Sequence, residues 1–223
     1  MSNVSVSIST VSDGSMYNRT DPSDMDVIEN RSAYLSRQGI SIDASVRAKT
    51  SYDRADFCRY VAVDTSDNAS GMYGDEAPIA DALITQTVGQ TLFLAVADCV
   101  GAVFFDPVQQ VLMLSHLGRH SLEQEGAAKS VHHLVTHYQS NPKNILVWLT
   151  PAPSKEIYPI WALDNKGMKE ATFEQLASAG ILSENITDNP IETDKDTRYF
   201  SYSEFLKGHR EDGDHAIIAT IVA

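Results

Sequence analysis

Apolar and polar residues alternate in "VSVSIS" at residues 4–9, the two-residue period of a strand with one face on a core. The period lengthens in "DPSDMDVIENRSAYLSRQGI". There Val27, Arg31, Tyr34 and Leu35 fall on one helical stripe, Ser23 can cap the start, acidic residues crowd the first turn and Gly39 closes the end. Tyr60 to Val63 predicts a short strand. "ADALITQT" leads into a long apolar strand from Thr91 to Phe105, and the turn "DPVQQ" sends it back into "VLMLSH" as a hairpin. Neither arm alternates, so both faces of the hairpin should be covered. A helix is expected from Ser121, with Gln124 completing a capping box and Val131, Leu134, Val135 and Tyr138 as its apolar stripe. "NPKNILVWLTPAP" reads as a turn and a buried strand. A helix near Thr172–Ala179 follows, then strands around Tyr199–Tyr202 and Ala216–Val222.

Strands and helices mix here without a strict βαβ alternation, so an α+β fold is expected, with residues 1–223 as one domain. Hydrophobic residues make up 43 %, enough for a real core. The formal net charge is −13, and an acidic surface repels phosphate backbones, which argues against nucleic acid as a partner. A small anionic substrate would need a local basic pocket. No run is long and apolar enough to span a bilayer. "MSNVSVSIST" lacks the basic start and apolar stretch of a signal peptide. Two cysteines suit a reducing compartment. The expectation is a monomeric cytoplasmic protein. There is no glycine-rich phosphate loop and no Gly-x-Ser-x-Gly elbow.

Candidate chemistry sits in "AVADCVGAVFFDPVQQVLMLSHLGRHS", residues 95–121. If Phe105 faces Val111 across the turn, Val100 stands opposite His116, and Cys99 becomes its diagonal neighbour. A one-residue shift in register decides whether the two side chains share a face. Thiol and imidazole side by side have three readings: inert packing, an activated thiolate nucleophile, or two zinc ligands. Arg31, inside an apolar stripe, is either a snorkelling or ion-paired arginine or an anion clamp. Asp98 would face the other side of its strand, in a structural or an acid–base role. His120, one turn past His116, is open to the roles of ligand, proton donor or surface residue. His133 and His137 share a helical turn but point away from the apolar stripe, toward solvent.

The segments "IADALIT", "LAVADC" and "FFDPVQQVLMLSHLGRH" resemble the signature of the multicopper polyphenol oxidase/laccase-domain family. "YNRTDPSDMDVIENRSAYL", "NPKNILVWLTPA" and "YFSYSEF" resemble further segments of it, in the same order along nearly the whole chain. The resemblance implies a single laccase-domain fold with mixed β-sheets flanked by helices. It also implies a zinc-dependent purine nucleoside phosphorylase activity, with adenosine deamination as a side activity. The family's metal is held by a Gln-Val-His histidine, the cysteine of Ala-Asp-Cys and the histidine of His-Ala-Gly-Trp-Arg-Gly. Cys99 and His116 match the second and third. "VAVDT" takes the first place and puts Asp64 where the histidine would be. In "HLGRHS", Arg119 stands at the tryptophan's place and His120 at the arginine's. Arg31 and Arg119 are then expected to hold phosphate, and Asn18 and Arg31 to bind substrate. His120 or Asp98 would protonate the departing purine. A redox copper cluster ranks below zinc, because one thiolate with so few histidines does not resemble a multicopper centre. Two other functions stay open: a Cys–His hydrolase or amidase with Cys99 as nucleophile, and a catalytically impaired protein that binds a small ligand.

Overall fold

A computed structural model describes residues 4–223. Two mixed sheets stack face to face. The four-stranded sheet has the order β1 (Val4–Ile8), β10 (His215–Ile221), β5 (Thr91–Val96), β2 (Ser45–Arg47). The six-stranded sheet has the order β3 (Tyr60–Ala62), β4 (Ala82–Thr85), β7 (Val111–Leu117), β6 (Val100–Asp106), β8 (Leu146–Leu149), β9 (Ile186–Asp188). One core lies between the sheets, where Leu92, Leu94, Val103, Phe105, Leu112 and Ile217 interdigitate. Each such side chain contributes on the order of 1.5–3 kcal/mol by leaving water.

Helices cover both outer faces. Helix α1 (Met25–Arg37) lays Tyr34 and Leu35 on Phe93 and Ile218 of the four-stranded sheet. On the other side, α2 (Arg119–Glu123), α3 (Gly126–Tyr138) and α4 (Met168–Ser178) pack Leu122, Val131, Leu134 and Leu176 against Val100, Phe104 and Met113. The β6–β7 hairpin is therefore buried on both faces, which is why its arms lack alternation. The α+β expectation holds. No helix among the described residues is long and apolar enough to cross a membrane.

Five local expectations are corrected. The run Thr91–Phe105 is two strands in different sheets, broken at residues 97–99. One strand over that run would extend about 50 Å, too long for a domain of this size. Asp98 makes the corner with a left-handed φ of 76°. Second, the hairpin pairs Phe105 with Leu112 and Gly101 with His116. The register slips by one residue because Asp106 joins the ladder opposite Val111, while its carboxylate accepts from Val108 N at 2.8 Å to close a four-residue turn. Third, the helix expected from Ser121 is α2 and α3, separated at Glu125, whose φ is 62°. Gln124 makes no capping box. Its side chain reaches outward, accepting from Phe57 N at 3.0 Å and donating to Ala55 O at 2.6 Å. Fourth, Tyr199–Tyr202 is not a strand. Tyr202 begins α5 (Tyr202–Leu206), capped by Ser201 Oγ accepting from Glu204 N at 3.3 Å. Asp24 rather than Ser23 caps α1, accepting from Asp26 N.

Candidate active site

The two sheets part company at residues 97–99, and a cleft of about 550 Å³ opens there. That is the size of a small-molecule site. Cys99 enters it from the corner and His116 from the adjacent strand β7. A Cβ built on Gly118 would meet Cys99 Sγ and His116 Nε2 each at 3.1 Å, so sulfur and ring nitrogen converge on one point. Neither group is charged near neutrality. Burial first, then the carboxylates of Asp98 and Asp214, push the Cys99 thiol up to about 12. Burial drives His116 down to about 4, against a weaker pull from Asp81.

Asp98 lines the cleft, but its carboxylate is fully engaged. It accepts from Thr193 Oγ1 at 2.6 Å and from Ser203 N at 2.7 Å, tying two distant loops to the corner. Arg119 and His120, at the start of α2, stand on the cleft wall. The His120 ring stacks on Phe57 with centroids 4.7 Å apart, and its Nδ1 lies 3.2 Å from Glu123 Oε2.

Three expected site residues lie elsewhere. Asp64 follows the far end of β3. Because β3 and β4 run parallel and β4 runs antiparallel to β7, Ala62 stands in the row of Met113, not of His116. Three residues of strand put His116 about 10 Å further along the sheet. Asp64 is instead the cap of a short turn, its carboxylate accepting from Ser66 N at 2.8 Å. Arg31 is fully buried behind the cleft, where Nε donates to Met16 O at 2.8 Å and Nη1 to Met72 O at 2.9 Å. Burial and the neighbouring Arg47 lower it to about 10. Asn18 braces its own loop, donating to Asp24 at 2.7 Å and accepting from Thr20 N at 2.9 Å, and does not line the cleft.

Sequence reasoning missed Arg19, Arg47, Tyr52, Phe57, Tyr158 and Asp214, all of which line the cleft. Arg19 Nη2 donates to Asp214 at 2.6 Å across the length of the chain, and its guanidinium lies over the Tyr202 ring at 4.7 Å. Asp214 is buried, and desolvation outweighs Arg19, raising its carboxyl to about 6. No local pattern marks these residues, because the fold brings them together from segments far apart in the chain. His215, beside Asp214, is buried against Tyr199, and neither ring nitrogen has a hydrogen-bond partner among the described residues.

The donor set does not fit a catalytic zinc, which takes three protein ligands and an open position. Among the described residues no three His, Cys, Asp or Glu side chains gather to hold a metal ion. The segment that enters the cleft after β2 brings Arg47 and Lys49, cations in place of a third donor.

Fold and site together describe a two-sheet α+β domain with a thiol–imidazole pair at the corner between its sheets. The chain belongs to the family described as Multi-copper polyphenol oxidoreductase laccase, whose profile matches residues 5–162. Among solved structures it is similar to the hypothetical protein YfiH of Bacillus licheniformis, at 21 % identity and a TM-score of 0.83, covering 98 % of this chain and 92 % of that one. YlmD from Geobacillus stearothermophilus gives 19 % identity and 0.83, covering 99 % and 93 %. Neisseria meningitidis protein NMB0706 gives 16 % and 0.73, covering 100 % and 96 %. At these identities the likeness establishes the fold. No curated protein matches significantly.

Proposed function

We propose that the cleft splits purine nucleosides such as adenosine or inosine with phosphate. In this reaction the C1′–N9 bond breaks, a C1′–O bond to phosphate forms, and the departing purine takes up a proton. The observation that carries the reading is His120 stacked on Phe57 at 4.7 Å, in a nucleoside-sized cleft that also holds Arg119. An imidazole in an aromatic wall can lie against a purine ring and deliver its proton. Glu123 beside Nδ1 keeps that ring oriented. Arg119, with 45 % of its side chain exposed, lies 3.9 Å from Glu123 and places Nη2 3.2 Å from His120 Nε2, so its guanidinium can meet phosphate beside that ring.

Membership of an enzyme family supports a catalytic role for the cleft. No step is assigned to a metal, because the residues present do not supply its ligands. The thiolate-nucleophile alternative is disfavoured by a Cys99 thiol held protonated. The test is chromatography of adenosine incubated with purified protein, with and without phosphate. Adenine released only with phosphate, and lost in His120→Ala, is the expected result. Inosine in place of adenine would indicate deamination. No turnover of either kind would leave a ligand-binding protein.

A further inference from the structure

Arg47 ends β2, is only 2 % exposed, and still lines the cleft. Its Nε donates to Gly71 O at 2.6 Å and its Nη2 to Gly74 O at 2.9 Å, and the guanidinium lies over the Tyr17 ring at 5.1 Å. Among the described residues Nη1 makes no hydrogen bond, and the side chain lines the cleft. Directly behind it, Arg31 is fully buried, with Nη2 also unpartnered. The two guanidinium groups share the Gly71 carbonyl, Arg31 Nη1 approaching it at 3.4 Å.

Two buried cations side by side, hydrogen-bonded only to carbonyls among the described residues, are unexpected in a chain of net charge −13. The nearby carboxylates are engaged elsewhere among the described residues: Asp75 pairs with Lys49 and Asp214 with Arg19. Desolvating a guanidinium is costly unless a counter-charge compensates it. Its planar fork fits the oxygens of phosphate or carboxylate better than any other common group. The carbonyl tethers and the Tyr17 ring fix the fork's plane, so its free edge is set before a ligand arrives.

We propose that Arg47 anchors an oxyanion, a phosphate or a carboxylate group, at the floor of the cleft. The choice of phosphate among these rests on the phosphorolysis reading, while the anchor stands on its own geometry. The experiment is calorimetric titration of chelator-treated protein with inorganic phosphate and, separately, with acetate at matched ionic strength. Wild type should bind one of them, and Arg47→Gln should weaken that binding at least tenfold. Tighter phosphate binding assigns the anchor to phosphate; tighter acetate binding assigns it to a substrate carboxylate. Absence of binding by both, or equal affinity in Arg47→Gln, overturns the proposal. Circular dichroism checks that the variant is folded. Should it not fold, Arg47→Lys, which keeps the charge and loses the fork, is the deciding variant, and affinity equal to wild type overturns the proposal. Phosphate binding that depends on Arg47, without any adenine release, keeps the anchor and removes phosphorolysis. Adenine release and oxyanion binding both undiminished in Arg47→Gln remove the anchor and keep phosphorolysis.

Discussion

Cys99 Sγ and His116 Nε2 flank Gly118 at equal reach, each 3.1 Å from where a Cβ on that glycine would stand. The backbone at Gly118 has φ −78°, open to any residue, so only this crowding calls for glycine. Gly118→Ala should fold with a loss of about 1–2 kcal/mol from overpacking. Adenine release should fall at least tenfold, because the pair must spread. Undiminished release, with the fold checked by thermal melting, would show that turnover does not use the pair.

The protonated state of Cys99 makes a second prediction. With the thiol held up at about 12, alkylation by iodoacetamide at pH 8 should run at least ten times slower than for free cysteine, read by mass spectrometry of the Cys99 peptide. Zinc retained after dialysis should be well below one per chain and the same in Cys99→Ala. A full equivalent that disappears in the variant would mean that a third donor reaches the pair. Asp64→Ala should change neither result, since Asp64 only caps a short turn.

Asp98 combines a left-handed backbone with one buried and one half-buried hydrogen bond. Asp98→Asn keeps an acceptor and tolerates that φ, whereas Asp98→Ala loses both acceptors and strains the corner. Urea denaturation should place the alanine variant about 2–4 kcal/mol below wild type and the asparagine variant in between. Equal losses would mean that the charge alone matters there.

Acid should destabilise the protein through His215. Burial depresses it to about 3, so the unfolded chain takes up a proton near pH 6.5 that the folded chain refuses. Its contribution is complete above pH 6.5 and is lost as pH falls toward 3. Between those limits His215 adds a slope of about 1.4 kcal/mol per pH unit. His215→Leu should flatten the fall measured by denaturant melts from pH 6.5 to 4, and an unchanged slope would locate the acid sensitivity elsewhere.

Periodicity alone gave the stripe of α1, the two-sided burial of the hairpin and the α+β class, because each follows from local spacing. It also brought Cys99 near His116, since a hairpin limits where its ends can lie. The kink at Asp98 escaped because a buried aspartate inside an apolar run looks like a strand residue until Thr193 and Ser203 are known to reach it. Asp64 was misplaced for a related reason. Counting residues from the motif ignores the chain between Arg47 and Tyr60, whose Tyr52 and Phe57 turn out to wall the cleft. Arg19 and Asp214 meet from opposite ends of the sequence, and no short-range signal encodes such a pair.

Gly101 sits opposite His116 in the ladder, and a Cβ there would come within 2.7 Å of Ile217 on the facing sheet. The imidazole therefore rides on a tightly closed seam between the two sheets, where neither can slide without prying the other away. Accommodation of ligands of different shape then falls to residues 50–58, which belong to no ladder and carry Tyr52 and Phe57. Descendants of such a protein can trade substrates by rewriting that stretch while leaving the seam alone.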